Sequence, residues 1–201
     1  ASQTVDYGSD GETVTATPAT GYHFVRWSDD EDSLIDAART DTEVTDNIDV
    51  TALFAINQYT LTYAAGANGS IQGDSPQTVE HGSDGMQVTA AADQNYHFVQ
   101  WSDGKTDAAR QDTNVADHIS VTAQFAIDQR SLTYTAGVGG SIQGDTSQTV
   151  DYNGSGTQVT AVSDPGYRFV QWSDGVATAA RTDTEVTENI DVTAQFAINQ
   201  Y

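Results

Sequence analysis

The sequence predicts an all-β chain, built as a tandem array of small β-rich modules of about 71 residues. Three observations carry that expectation. The aromatic phrase GYHFVRWSDD at 21–30 returns as NYHFVQWSDG at 95–104 and as GYRFVQWSDG at 166–175. Apolar residues between these phrases recur with a period of two, the spacing of a half-buried strand. Glycine-rich turn signals separate the runs.

The repeats come first because they fix the frame. Setting Trp27, Trp101 and Trp172 in register aligns nearly everything around them, and the third copy follows the second at an offset of 71 residues without a gap. The first copy carries three extra residues near 30–35, where WSDDEDSLIDAAR stands in place of WSDGKTDAAR. Counted from YTLTYAAGANGSIQGD, the units are residues 59–129 and 130–200, with Tyr201 opening a further one. Residues 1–58 are a unit lacking its first segment, since Ser2-Gln3-Thr4-Val5 matches Ser147-Gln148-Thr149-Val150. Both ragged ends are expected of a piece of a longer array, and the folding unit can be permuted relative to this frame.

Within a unit the elements follow in order. Tyr59, Leu61 and Tyr63 alternate with threonines as the first strand. GANG (66–69) and GVGG (137–140) turn the chain, and GSDG (8–11, 82–85) is a second turn signal. The aromatic phrase is a strand with Tyr22 and Phe24 on one face, as are Tyr96 with Phe98 and Tyr167 with Phe169. Trp27 lies five residues past Tyr22, so simple alternation sends it to the other face unless a bulge re-aims it. Only the stretch near DAAR is compatible with a helical turn. The last strand, ISVTAQFAI, puts Ile119, Val121, Ala123, Phe125 and Ile127 on one face.

A module of this size has a thin core, so its rings are most of the apolar area available. The expected core is Tyr22, Phe24, Trp27, Tyr96, Phe98, Trp101, Tyr167, Phe169 and Trp172. The competing reading leaves a ring exposed for stacking on sugar.

Composition narrows the chemistry. No cysteine is present, which excludes disulfides, thiol catalysis and zinc–thiolate sites. With 29 acidic against 7 basic residues the formal charge is −22, which repels nucleic acid and anionic lipid. No apolar run approaches the ~20 residues of a membrane-spanning helix, so no membrane insertion by this segment is expected. Catalysis is not expected: all four histidines (His23, His81, His97, His118) lie in the first two copies, so no histidine acid–base role is common to the modules. Ser28-Asp29, Ser102-Asp103 and Ser173-Asp174 recur with no base recurring beside them.

Carboxylates are the candidate metal ligands, because calcium takes hard oxygen donors. Asp41, Glu43, Asp46 and Asp49 crowd DTEVTDNID, and Asp183, Glu185, Glu188 and Asp191 copy them. The second unit keeps Asp112 and Asp117 but has Asn114 and Ser120 at the other two positions. The bland alternative is a solvated acidic edge with no cofactor; neither an EF-hand loop nor a nonapeptide calcium repeat is present. The run DDED at 29–32 is a second candidate, confined to the first copy. Arg39, Arg110 and Arg181 share one register position, where a structural ion pair is expected. The only lysine, Lys105, has Val176 as its counterpart, so no lysine crosslink can repeat. NGS at 68–70 and 153–155 matches a glycosylation sequon but reads more simply as turn chemistry.

The order Tyr-Thr-Leu-Thr-Tyr, Gly-Ser-Ile, Val-Thr-Ala, Gly-Tyr-x-Phe-Val-x-Trp-Ser-Asp-Gly and Val-Thr-Ala-x-Phe resembles the divergent internalin-type B-repeat family, relatives of the Listeria–Bacteroides repeats. The resemblance covers essentially the whole chain. It implies a compact β-grasp-related module, no shared catalytic residues, and a secreted or cell-surface bacterial protein whose repeats serve as stalk or adhesive modules. The junctions FAINQYTLTY (54–63) and FAIDQRSLTY (125–134) have no flexible spacer. The expected role is therefore an extracellular spacer whose partners are the neighbouring repeats of the same chain. The alternative is a set of weak, multivalent modules for glycan or host surface protein, calcium-dependent or not.

Overall fold

A computed structural model of the chain describes residues 2–29 and 36–200. The first repeat contains β1 (Val14–Thr15), β2 (Tyr22–Trp27), β3 (Ala38–Arg39) and β4 (Ala52–Ile56). The second contains β5 (Gln58–Ala65), β6 (Gly69–Gln72), β7 (Gln77–Glu80), β8 (Val88–Ala92), β9 (Tyr96–Trp101), β10 (Ala109–Arg110) and β11 (Ile119–Ile127). The third contains β12 (Gln129–Ala136), β13 (Gly140–Gln143), β14 (Ser147–Asp151), β15 (Val159–Ser163), β16 (Tyr167–Trp172), β17 (Ala180–Arg181) and β18 (Ile190–Ile198). Among the described residues there is no helix.

The chain divides into two compact units, one of residues 1–66, 70–91 and 100–123, the other of residues 67–69, 92–99 and 124–201. The third repeat lies wholly in the second unit and shows the module complete. Its main sheet has the order β14-β12-β18-β16, and a smaller sheet has the order β13-β15-β17. The central pair, β12 and β18, is parallel, with Leu132 opposite Ile190 and Ala136 opposite Ala194. Two antiparallel strands flank it, β14 on β12 and β16 on β18. Parallel neighbours need a crossover connection, usually a helix; here the three-stranded sheet lies within that connection. The second repeat repeats both strand orders, β7-β5-β11-β9 and β10-β8-β6.

The core sits where alternation sends it. Leu132, Tyr134, Val159, Ala161, Trp172, Val186, Val192 and Ala194 form one buried cluster. Their counterparts 71 residues earlier, from Leu61 to Ala123, are all buried as well. Each fully buried Leu or Val contributes about 1.5–3 kcal/mol.

The tryptophan's parity is resolved by a bulge. Phe169 faces Phe196, but the register then shifts, so that Gln171 faces Gln195 and Trp172 faces Ala194. One unpaired residue, Val170, therefore turns both Phe169 and Trp172 inward. The same shift falls between Phe24 and Arg26 in β2. The rings of Phe169 and Trp172 then meet edge-on, their centroids 6.1 Å apart.

DAAR makes no helical turn. Ala180–Arg181 is the edge strand β17, paired antiparallel with β15, and Ala109–Arg110 pairs with β8 in the same way. Pairing fixes the side-chain direction there, and the arginine points at the core.

The first repeat corresponds to this plan from β14 onward. Its described strands form two pairs, β1 with β3 and β2 with β4, around Ala16, Phe24 and Trp27.

Candidate functional site

The groups that recur in every module converge on one arginine. In the third repeat Arg181 donates from Nε to Asp183 Oδ2 at 2.8 Å and from Nη2 to Asp183 Oδ1 at 2.6 Å. Its Nη1 lies 2.8 Å from Asp174 Oδ2, an ion pair whose angle falls outside hydrogen-bonding geometry. The guanidinium sits over Trp172 at 5.4 Å and Tyr134 at 6.0 Å. The Tyr134 hydroxyl donates to Asp183 Oδ2 at 2.7 Å, closing the ring of contacts.

The second repeat rebuilds this cluster with one addition. Arg110 is forked onto Asp112 at 2.7 and 2.9 Å and onto Asp103 at 2.9 and 2.8 Å. Its guanidinium lies over Trp101 and Tyr63, and Tyr63 donates to Asp112 at 2.9 Å. Lys105 adds a 2.7 Å bond to Asp112, a contact the third repeat lacks because Val176 stands there.

Electrostatics follow from that geometry. Burial alone would push the Asp112 carboxyl up, but bonds from Arg110, Lys105 and Tyr63 outweigh it and hold the group at about 2. Burial, then the bond to Asp112, pushes the Tyr63 hydroxyl up to about 12. The bond from Arg181 holds Asp183 below the usual carboxylate range against the opposing effect of burial. Tyr134 is raised by burial and by Asp183. Both arginines face two carboxylates of their own module, Asp103 and Asp112 for Arg110 and Asp174 and Asp183 for Arg181.

In the first repeat Arg39 bonds Asp29 at 2.6 and 2.8 Å and Asp41 at 2.8 Å, and stacks over Trp27 at 5.7 Å. No tyrosine completes this cluster among the described residues. Trp27 Nε1 is buried there without a partner among the described residues, whereas Trp101 and Trp172 donate to the carbonyls of Asp107 and Thr178.

The carboxylates proposed as calcium ligands do not gather. No three His, Cys, Asp or Glu side chains come together among the described residues. Asp41, Asp112 and Asp183 point inward to the arginines. Asp117 accepts the His118 backbone N–H at 2.8 Å. Glu43, Asp46, Asp49, Glu185, Glu188 and Asp191 are exposed. Of DDED at 29–32, Asp29 belongs to Arg39, and residues 30–32 lie outside the described residues.

The ring residues divide. Trp101 and Trp172 are fully buried, and Phe24 and Trp27 nearly so. Tyr96, Phe98, Tyr167 and Phe169 are half-buried. Tyr22 is a correction: it is 46% exposed. In the third repeat Gly139 lies against the corresponding ring, Tyr167.

A second recurrent constellation lies at the junctions, and sequence reasoning noticed only their shortness. Between β4 and β5 stands the single residue Asn57, and between β11 and β12 the single residue Asp128. Asn57 N–H donates to Gly21 O of the preceding repeat, and its carbonyl accepts from His81 N of the following one, both at 2.8 Å. Asp128 does the same with Asn95 O at 2.8 Å and Tyr152 N at 2.7 Å. Side chains add to this, His23 Nδ1 with Asn57 Oδ1 at 2.8 Å and His97 Nδ1 with Asp128 Oδ1 at 3.0 Å. Gly21 has φ +80°, and a Cβ there would overlap the His81 ring. Asn95 holds the same left-handed backbone at φ 65°. The signal in the sequence was the pairing of a turn Gly or Asn with a junction Asn or Asp in each copy.

No solved structure matches this chain. The model of the divergent InlB B-repeat domain matches it in three consecutive segments, residues 1–58, 59–129 and 130–200. With residues 1–200 accounted for by that match, and an arginine-centred core rebuilt in every copy, the chain belongs to the divergent InlB B-repeat family.

Proposed function

We propose that these repeats are a non-catalytic, extracellular spacer that carries other parts of a bacterial surface protein away from the cell. Domains of this family are typical of bacterial surface proteins, which supports the location. The observation that carries the mechanical part is the one-residue junction. Its backbone N–H is bonded to the repeat before and its carbonyl to the repeat after, so it has little freedom to act as a hinge. Each such bond adds about 0.5–1.5 kcal/mol against bending, and a charge of −22 sets neighbouring modules in mutual repulsion. The other reading, weak multivalent binding of glycan or host protein, gains no support from the repeated tryptophan, since Trp101 and Trp172 are buried.

Small-angle scattering of the 201-residue chain, in chelator and in calcium at matched ionic strength, tests the spacer. A stiff, elongated particle in both conditions is expected. Elongation only with calcium would transfer the role to the acidic segments, and a chain of freely jointed beads would refute the proposal.

A further inference from the structure

We propose that the outer edge of β7, with Met86 held beside it, is a docking groove for an extended basic segment of a partner protein. β7 is the outermost strand of its sheet, and β5 is its neighbour. His81 N–H bonds Asn57 O at 2.8 Å, which fixes the parity of the ladder. Alternate residues of an antiparallel strand bond inward, so Gln77 and Val79 face β5 while the backbone groups of Thr78 and Glu80 point outward. Glu80 O already accepts from Ser83 N–H at 3.0 Å. The rungs open to an incoming strand are therefore Thr78 N–H, Thr78 O and Glu80 N–H. A groove runs along this edge, lined by Asp74, Pro76, Thr78, Val79, Asp84 and Met86.

Met86 is presented there by a clamp. The Gln77 side chain accepts Met86 N–H at 2.7 Å and donates to Met86 O at 3.0 Å and to Asp74 O at 2.9 Å. Gln77 is buried, which fixes the clamp, yet Met86 is 57% exposed. The other copies repeat the clamp at the same spacing, Gln3 holding Glu12 and Gln148 holding Thr157. A constant support thus carries a different exposed side chain in each copy, and only the second copy displays an apolar one there.

The chemistry of the occupant follows. Open rungs take an extended backbone, and the side chains beside them set the preference. Thr78 and Glu80 share one face of β7, whereas Val79 shares the other with Gln77 and so with the clamped Met86. The incoming strand presents apolar residues to Val79 and Met86, where the unbranched thioether adapts to their shape. At the alternate positions it presents lysine or arginine toward Glu80. Asp74 and Asp84 add two carboxylates, and none of the described lining residues is basic. Charge complementarity therefore selects a basic segment. A second copy of this chain, at a charge of −22, is repelled.

The test titrates the isotopically labelled 201-residue chain with the end-blocked synthetic peptide Lys-Val-Lys-Leu-Lys-Val-Lys. Expected are 1:1 binding, shifts confined to residues 74–86, and about tenfold slower solvent exchange of the Thr78 and Glu80 amides. Met86→Thr, which copies the third repeat, should weaken binding by about five- to tenfold, and salt at about 0.5 M should weaken it several-fold. Two further peptides carry N-methyl groups on the lysines or on the apolar residues, with the charge unchanged. One of them should lose binding and the other keep it within about threefold, because only one alternate set faces the edge. Equal binding by both, or shifts spread over the carboxylates of all three repeats, would overturn the proposal. So would the absence of saturable binding up to about millimolar peptide, the weak end of the affinity scale. Concentration-dependent shifts of the same amides in the chain alone would overturn it too, by making a second copy the occupant.

Discussion

Replacing Arg181 with methionine keeps the length and apolar stem of the side chain and removes its charge. The arginine side chain is only 6% exposed and makes two bonds to Asp183 and one ion pair to Asp174. The Asp174 leg is exposed and contributes little, at most about 1 kcal/mol. The Asp183 leg decides the outcome, because methionine leaves a mostly buried carboxylate with only the Tyr134 hydroxyl. Breaking a buried pair by deleting one partner costs about 3–5 kcal/mol, so we expect a loss of about 3 kcal/mol at neutral pH. The indole N–H of Trp172, bonded to Thr178 O at 3.1 Å, reports on this module alone. Its hydrogen exchange in the full chain should accelerate about 150-fold, since each 1.4 kcal/mol is a factor of ten. The deficit should shrink as the pH falls, because burial, no longer opposed by Arg181, raises the orphaned Asp183 and lets it take up a proton. Arg39→Met, with a side chain 16% exposed and bonded to the exposed Asp29, should cost less than half as much at Trp27. A change at Trp172 under tenfold, or one that does not vary with pH, would refute the view that the arginine compensates a buried charge.

The folded-state pKa of Asp112, about 2, lies below the ordinary 3.8. Its stabilisation is therefore complete above pH 4, is lost as pH falls toward 2, and amounts to about 2 kcal/mol; acid titration of the Trp101 indole should place the loss in that window. Gly140→Ala puts a methyl group into the Phe196 ring and should cost about 1–3 kcal/mol by overpacking, read as a lower denaturant midpoint for Trp172. Inserting Gly-Ser-Gly after Asp128 separates the bonds to Asn95 and Tyr152. The distance distribution between spin labels on the second and third repeats should broaden, while module stability changes by less than about 0.5 kcal/mol.

Much of the fold was legible because period-two alternation is a local signal. The last strand, with Ile119, Val121, Ala123, Phe125 and Ile127 on one face, could be read directly. Trp172 was harder: its parity contradicts its burial until one residue is spent in a bulge, and whether a chain bulges depends on the strand opposite. DAAR misled because its alanines and arginine favour a helix, and tertiary strand pairing overrode that local preference. The recurring arginine was visible as a register position, but its aspartates lie two residues after it and seven before it. Only folding brings them together, and so the same Asp112 and Asp183 could be read as calcium ligands. Tyr22 looked like Tyr96 and Tyr167 because the phrase itself carries no mark of what packs against it.

The parallel pairing of β12 with β18 bears on how a module would carry load. Tension along the chain enters the third repeat at Asp128, just before β12, and leaves at Asn199, just after β18. In a parallel pair those two points lie at opposite ends, so the strands are pulled past one another lengthwise. The rungs between residues 132–136 and 190–194 then share the force at once instead of parting one at a time. A module whose first and last strands are joined in this way resists being drawn out at its termini, which is the direction in which a tethered array is stretched by flow.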